Sequence, residues 1–203
     1  MVETYQRRSA LAHLGLVGRA ATGSKAGAGL AMSEIAHRTI VNIRGAASDP
    51  AFASAVQGAT GVMLPTAANT VATAGGRQIL WLGPNEWWVT GADGEAGVLV
   101  ENLRAGFVGQ HAAACDVSES RAIIRLKGLM TREVLMRGVS LDLHPREFHV
   151  GQCAQTGLSR ANVLLHLVDD TPTFEIYVLK SFSDYLWRWL EKVAVDFNLA
   201  VEA

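Results

Sequence analysis

Apolar positions recur along this chain in two rhythms, and the rhythms set the elements to expect. Alternation, or short apolar runs bounded by turn residues, predicts strands at Ile35–Ile43, Gln78–Leu82, Glu86–Thr90, Ala112–Val117 and Arg121–Leu126. Three more strands are expected at Gly151–Leu158, Asn162–Val168 and Thr173–Leu179. Three- and four-residue spacing predicts helices instead. Pro50–Gln57 follows the cap signal Ser48-Asp49, and Gly94–Phe107 spaces Val98, Val100, Leu103 and Phe107 for one face. Leu129–Val139 carries Val134 and Leu135 and ends at Gly138. The last helix opens at Ser181-Phe182-Ser183-Asp184, a capping-box-like start with Asp in place of Glu, and turns Leu186, Trp189, Leu190 and Val193 inward. The order strand-helix-strand-strand-helix-strand predicts a split βαβ, ferredoxin-like sheet with helices on one face.

The strongest local signal is Ile79–Gly91. Two Trp-bearing apolar runs flank Gly83-Pro84-Asn85-Glu86, where Pro presets a turn corner and Asn tolerates unusual backbone angles, so the chain reverses between strands. Three of the five Trp fall in this hairpin, which is expected to anchor a core or an interface. By strand alternation, if Trp87 points inward then Trp88 points out, as a natural interface anchor. Residues 1–33 lack a clear period, and the Gly/Ala-rich Gly15–Leu30 reads as linker, so an extended N-terminal arm over 1–33 is expected before an α+β domain at 34–203. Arg7, Arg8 and Leu11 in that arm are candidates, with Trp88, for contact with a partner.

Composition changes this picture in one respect. Charged residues make up 18%, below the roughly 25% of an average domain, while apolar residues make up 49% and mean hydropathy is +0.18. Apolar stretches such as Val163–Val168 fall far short of the ~20 residues a membrane helix needs. A chain with little charge and no span is expected to cover apolar surface with a partner. Net charge of −1 advertises neither nucleic acid nor an anionic membrane. Cys115 and Cys153 are too few for a disulfide framework and read as small buried thiols. The short stretch Leu11–Val17, broken by Gly and His, makes a poor signal peptide, so a cytoplasmic location is expected.

Candidate chemistry is thin. Gly18–Lys25 has Gly-Ser-Lys order, the reverse of a phosphate loop, in which Lys precedes the hydroxyl, and no strand leads into it. No Gly-x-Gly-x-x-Gly follows a strand, so no dinucleotide is expected by that route. His144, Glu147, His149 and Cys153 form a cluster with metal-ligand types, but Pro145 and the strand-like Phe148–Val150 keep the four off one face. Around Asp116, Ser118, Glu119, Ser120 and Arg121 an Asp/Ser turn, with Arg121 paired to a carboxylate, is favoured over an acid/base site. No catalytic, cofactor-binding or metal-binding residue is expected in this chain.

The hairpin also carries a resemblance. Trp81-Leu82-Gly83-Pro84-Asn85-Glu86-Trp87 resembles a segment of the gamma subunit of heterotetrameric sarcosine oxidase. Arg8-Ser9-Ala10-Leu11, Val41–Gly45, Leu64-Pro65, Asp116–Ser118 with Ser120-Arg121, Leu141–Pro145, Cys153–Thr156, and Ser181-Phe182 with Tyr185-Leu186-Trp187, Trp189 and Leu190 resemble further pieces in the same order. Asn85, Trp88, Ala10 and His149 are departures from that family's Asp, Leu, Pro and Pro. The resemblance implies an α+β fold of mixed, mainly antiparallel sheets, similar to the aminomethyltransferase folate-binding domain. It implies a non-catalytic subunit that helps assemble alpha, beta and delta chains, which are expected to carry FAD, FMN, NAD and zinc. The complex would demethylate sarcosine to glycine with hydrogen peroxide and pass the one-carbon unit to tetrahydrofolate. The alternative is an independent tetrahydrofolate-binding one-carbon transfer protein, with Asp116 or Glu175 aimed at the pterin ring.

Overall fold

In the computed structural model, which describes residues 7–23 and 28–202, the strands assort into two sheets. A helix α1 (Leu16–Gly23) and a strand β1 (Leu30–Ile35) come first. Next follow β2 (Thr39–Arg44), α2 (Pro50–Thr60), β3 (Val71–Ala74), β4 (Arg77–Gly83), β5 (Glu86–Gly91), α3 (Ala96–Gly106) and β6 (Ala113–Asp116). The remainder is β7 (Arg121–Lys127), α4 (Thr131–Met136), β8 (Cys153–Leu158), β9 (Ala161–Asp169), β10 (Thr173–Leu179), α5 (Ser183–Val193) and β11 (Leu199–Val201). The first sheet has the order β3-β4-β5-β2-β6 and the second β11-β1-β7-β10-β9-β8.

The expected ferredoxin-like unit occurs twice. From β2 to β6 and again from β7 to β11 the chain runs strand, helix, three strands, helix, strand. In each half the first of the three central strands forms the sheet edge, and the other two form a hairpin beside the opening strand. Strand β1 breaks the symmetry. It wedges between β7 and β11, antiparallel to the first and parallel to the second.

Alternation along the strands sorts side chains into three apolar layers. Val41, Ile43, Ile79, Trp87 and Val89 face Phe52, Val56, Leu99 and Leu103 of α2 and α3. On the far side, Ala122, Ile124, Leu126, Phe174, Ile176 and Val178 pack with Val134, Leu135, Leu186, Trp187 and Leu190 of α4 and α5. Between the sheets lie Ile40, Leu80, Trp88, Ile123, Cys153, Leu164 and Tyr177. Local signals set the helix ends: Asp49 accepts from the Ala51 N–H at 2.9 Å with Pro50 at the first position, and Gly61 closes α2 at φ 75°.

Three expectations are corrected. The arm is neither wholly extended nor separate from the core over its described residues, because α1 and most of β1 fall inside it, and Leu11, Leu30 and Met32 are fully buried in the second sheet's core. Residues 1–6 and 24–27, with Lys25, lie outside the described residues. The single strand Ile35–Ile43 is two strands in different sheets, joined through His37 at φ 57°. Helix α5 buries Trp187 fully, with Trp189 only partly buried against Gly138, where an added Cβ would lie 2.4 Å from the indole. Among the described residues no helix is long and apolar enough to cross a membrane.

Candidate functional site

Among the described residues the inter-sheet layer holds a buried cluster of polar side chains. Glu175 on β10 is 2% exposed. Its Oε1 accepts from Arg125 Nη2 at 2.8 Å, and its Oε2 accepts from Arg38 Nη1 at 2.8 Å and the Tyr177 hydroxyl at 2.9 Å. The His166 ring stands 3.9 Å from the same Oε2. Burial by itself would raise Glu175, but Arg38, Arg125 and the Tyr177 hydroxyl together hold it below the ordinary carboxylate range. Burial pushes His166 down to about 4, against the pull of Glu175, so its imidazole is neutral at pH 7. A carboxylate already filled by three donors is a poor proton acceptor. The cluster is a fastening: Arg38 sits where the chain crosses between sheets, and Glu175 ties that crossing to the middle of the second sheet.

A second polar set lies at the surface. Arg7 bridges Asp93, in the β5–α3 loop, and Glu119 at 2.6 Å, while Lys180 reaches the other Glu119 oxygen at 3.0 Å. The arm is thus strapped across the outlets of both sheets. Arg8 is exposed, Ser9 donates to Glu34 at 2.7 Å, and the Leu11 N–H donates to the same carboxylate at 3.1 Å. Leu11 is fully buried in this chain's own core and is no surface anchor.

Trp88 is corrected in the same way. Alternation does turn it away from Trp87, but away from Trp87 means toward the second sheet, not toward solvent. It is 7% exposed, with Tyr177 at 5.8 Å between ring centroids. Over its ring, 5.1 Å from the centroid, lies the Arg121 guanidinium. The expected Arg121–carboxylate pair is absent among the described residues. Glu119 is taken by Arg7 and Lys180, and Asp116 Oδ1 accepts from the Ser118 N–H and hydroxyl at 2.9 and 2.5 Å.

The four metal-ligand types do not converge. Cys153 is buried between the sheets with its Sγ 3.3 Å from the Trp81 carbonyl, and burial pushes its thiol up to about 12. His144 Nδ1 accepts from the Arg146 N–H at 3.2 Å, and the His149 N–H donates to Gln152 at 2.6 Å. Cys115, expected to be buried, is exposed. Sequence reading missed Arg38, Arg125, His166 and Tyr177. A signal existed: His166 and Glu175 interrupt otherwise apolar strand runs, and charged residue types enter cores only when partnered.

Two stacked ferredoxin-like sheets, each with helices on its outer face, form a fold shared with the aminomethyltransferases. Glycine cleavage system aminomethyltransferase T from Bartonella henselae superimposes with a TM-score of 0.62 at 14% identity, over 93% of this chain and 51% of that one, a likeness of fold alone. The model of the sarcosine oxidase, gamma subunit family matches residues 44–196. Sarcosine oxidase subunit gamma from an Arthrobacter species is 34% identical over 197 residues, 96% of this chain and 93% of the relative. A chain of the heterotetrameric sarcosine oxidase from Corynebacterium sp. U-96, solved in complex with pyrrole 2-carboxylate, superimposes with a TM-score of 0.85 at 30% identity, over 97% of this chain and 99% of that one. The chain belongs to the sarcosine oxidase gamma subunit family.

Proposed function

We propose that this chain is the gamma subunit of a heterotetrameric sarcosine oxidase and serves it as a non-catalytic packing subunit. One observation carries the reading: the likeness to the Corynebacterium chain extends over nearly all of both proteins. Side-chain placement supports the non-catalytic part. Both Glu175 oxygens are engaged by Arg38, Arg125 and Tyr177, and Asp116 closes its own turn, so neither candidate carboxylate is set to hold a pterin ring. On this reading alpha, beta and delta chains carry FAD, FMN, NAD and zinc, and the complex works in the cytoplasm. It converts sarcosine to glycine and hydrogen peroxide and passes the one-carbon unit to tetrahydrofolate, while this chain holds the other subunits in register.

The test is co-expression of the tagged chain with its alpha, beta and delta chains, followed by the mass and flavin spectrum of what copurifies. A yellow four-chain complex that is lost when this chain is omitted is the expected result. A colourless monomer that saturates with micromolar tetrahydrofolate would replace this reading with an independent one-carbon carrier.

A further inference from the structure

The inner face of the second sheet extends past the cover the first sheet gives it. Leu179 pairs with Arg121, Asn162 with Gly157, and Val178 with Val163 one step further in, so Arg121, Leu179, Asn162 and Gly157 line up across β7, β10, β9 and β8. This row borders a groove of about 520 Å³ floored by Trp88, Leu164 and Tyr177. Four adjacent strands span ~14 Å, the reach of about four extended residues.

The groove lacks something its chemistry calls for. Arg121 is half-buried, and among the described residues its hydrogen-bond partner is the Ser120 carbonyl at a marginal 3.5 Å. Among the described residues no carboxylate pairs with it, and burial lowers its pKa. A guanidinium stacked on an indole keeps its planar edge free to donate two parallel hydrogen bonds to a carboxylate. Beside it Leu179 is 41% exposed and the Asn162 amide is open. Phe182, three residues past the end of β10, is exposed as well.

We infer that this groove docks an extended segment of a partner subunit that sets an Asp or Glu side chain on Arg121 and an apolar neighbour on the exposed Leu179. The inference rests on the gamma-subunit reading and adds to it where a partner binds and by what chemistry. A desolvated carboxylate–arginine pair at the centre of an apolar contact is the kind of anchor whose truncation dominates binding.

Two variants test it in the co-expressed complex. Arg121→Glu reverses the charge. Gly157→Tyr fills the groove, since a Cβ there meets no atom within 4 Å and the backbone needs no positive φ. Each should cut the recovered complex at least tenfold, while the melting temperature of the purified chain moves by only a few degrees and Arg121→Lys retains most of the assembly. Undiminished complex with both variants overturns the inference and leaves the subunit reading standing. No complex even with the unaltered chain overturns both. Benzoate, titrated into the isolated chain as a small carboxylate probe, should leave its tryptophan fluorescence unchanged. Saturable micromolar quenching that disappears in Arg121→Glu would make the groove a small-molecule site and overturn the docking assignment.

Discussion

His166 makes the inter-sheet layer sensitive to acid. Its folded pKa of about 4 lies below the ordinary value of 6.5, so the unfolded chain binds the proton more readily. The stability due to keeping it neutral is present above pH 6.5 and is lost as pH falls toward 4, by on the order of 3 kcal/mol. Glu175, also depressed, loses its contribution only below the ordinary carboxylate range, as pH falls through its folded value. Thermal melts between pH 7 and 4 should therefore show a falling midpoint that His166→Gln flattens; an unchanged slope in that variant would assign the loss elsewhere. Removing the Glu175 charge acts differently. Glu175→Gln leaves Arg38 and Arg125, both partly exposed, without a counter-ion and should cost about 1–3 kcal/mol by denaturant titration at pH 7. The cysteines supply a third check. Native chain should expose one thiol to an aromatic disulfide reagent at pH 8, Cys115, with Cys153 reacting only after denaturation.

Among the elements, the arm departs most from its sequence pattern. Its Gly and Ala content gives no helical or strand period, yet β1 completes the second sheet by lying between β7 and β11. Leu11 is the plug that secures the approach to this strand, and the Glu34 carboxylate caps its N–H. Leu11→Ala should destabilise the isolated chain by about 2–5 kcal/mol. At this size that corresponds to a melting temperature lower by roughly 5–15 °C. An arm that ordered only on a partner would leave the melt of the isolated chain untouched. The long elements were legible because each had a clear period and a chemical stop: Asp49-Pro50 before α2, Gly138 after α4, the Gly83–Glu86 turn between β4 and β5. The short edge strands β3 and β11 were not. Three or four residues carry too little alternation to stand out, and their partners make them strands.

At the scale of the whole molecule, the two halves share one buried layer. Trp88 from the first half and Tyr177 and Ile123 from the second each have much of their surface covered by the other sheet. The halves should therefore melt as a single cooperative unit, with calorimetric and van't Hoff enthalpies equal. Trp88→Ala should lower that one transition, not split off half of it; two resolved transitions would show halves that fold independently. Sequence alone determined the class of fold, the order of most strands and helices, the Trp hairpin and the family resemblance, because periodicity and turn chemistry are local and the resemblance is read along the chain. It did not determine which face of a strand meets water. Alternation says that Trp87 and Trp88 point to opposite sides, and only the stacking of a second sheet decided that both sides are interior. The same stacking turned Glu175 from a candidate ligand group into the centre of a fastening and left Arg121 beside an open groove, since burial and pairing belong to residues far apart in sequence that meet only when the sheets close.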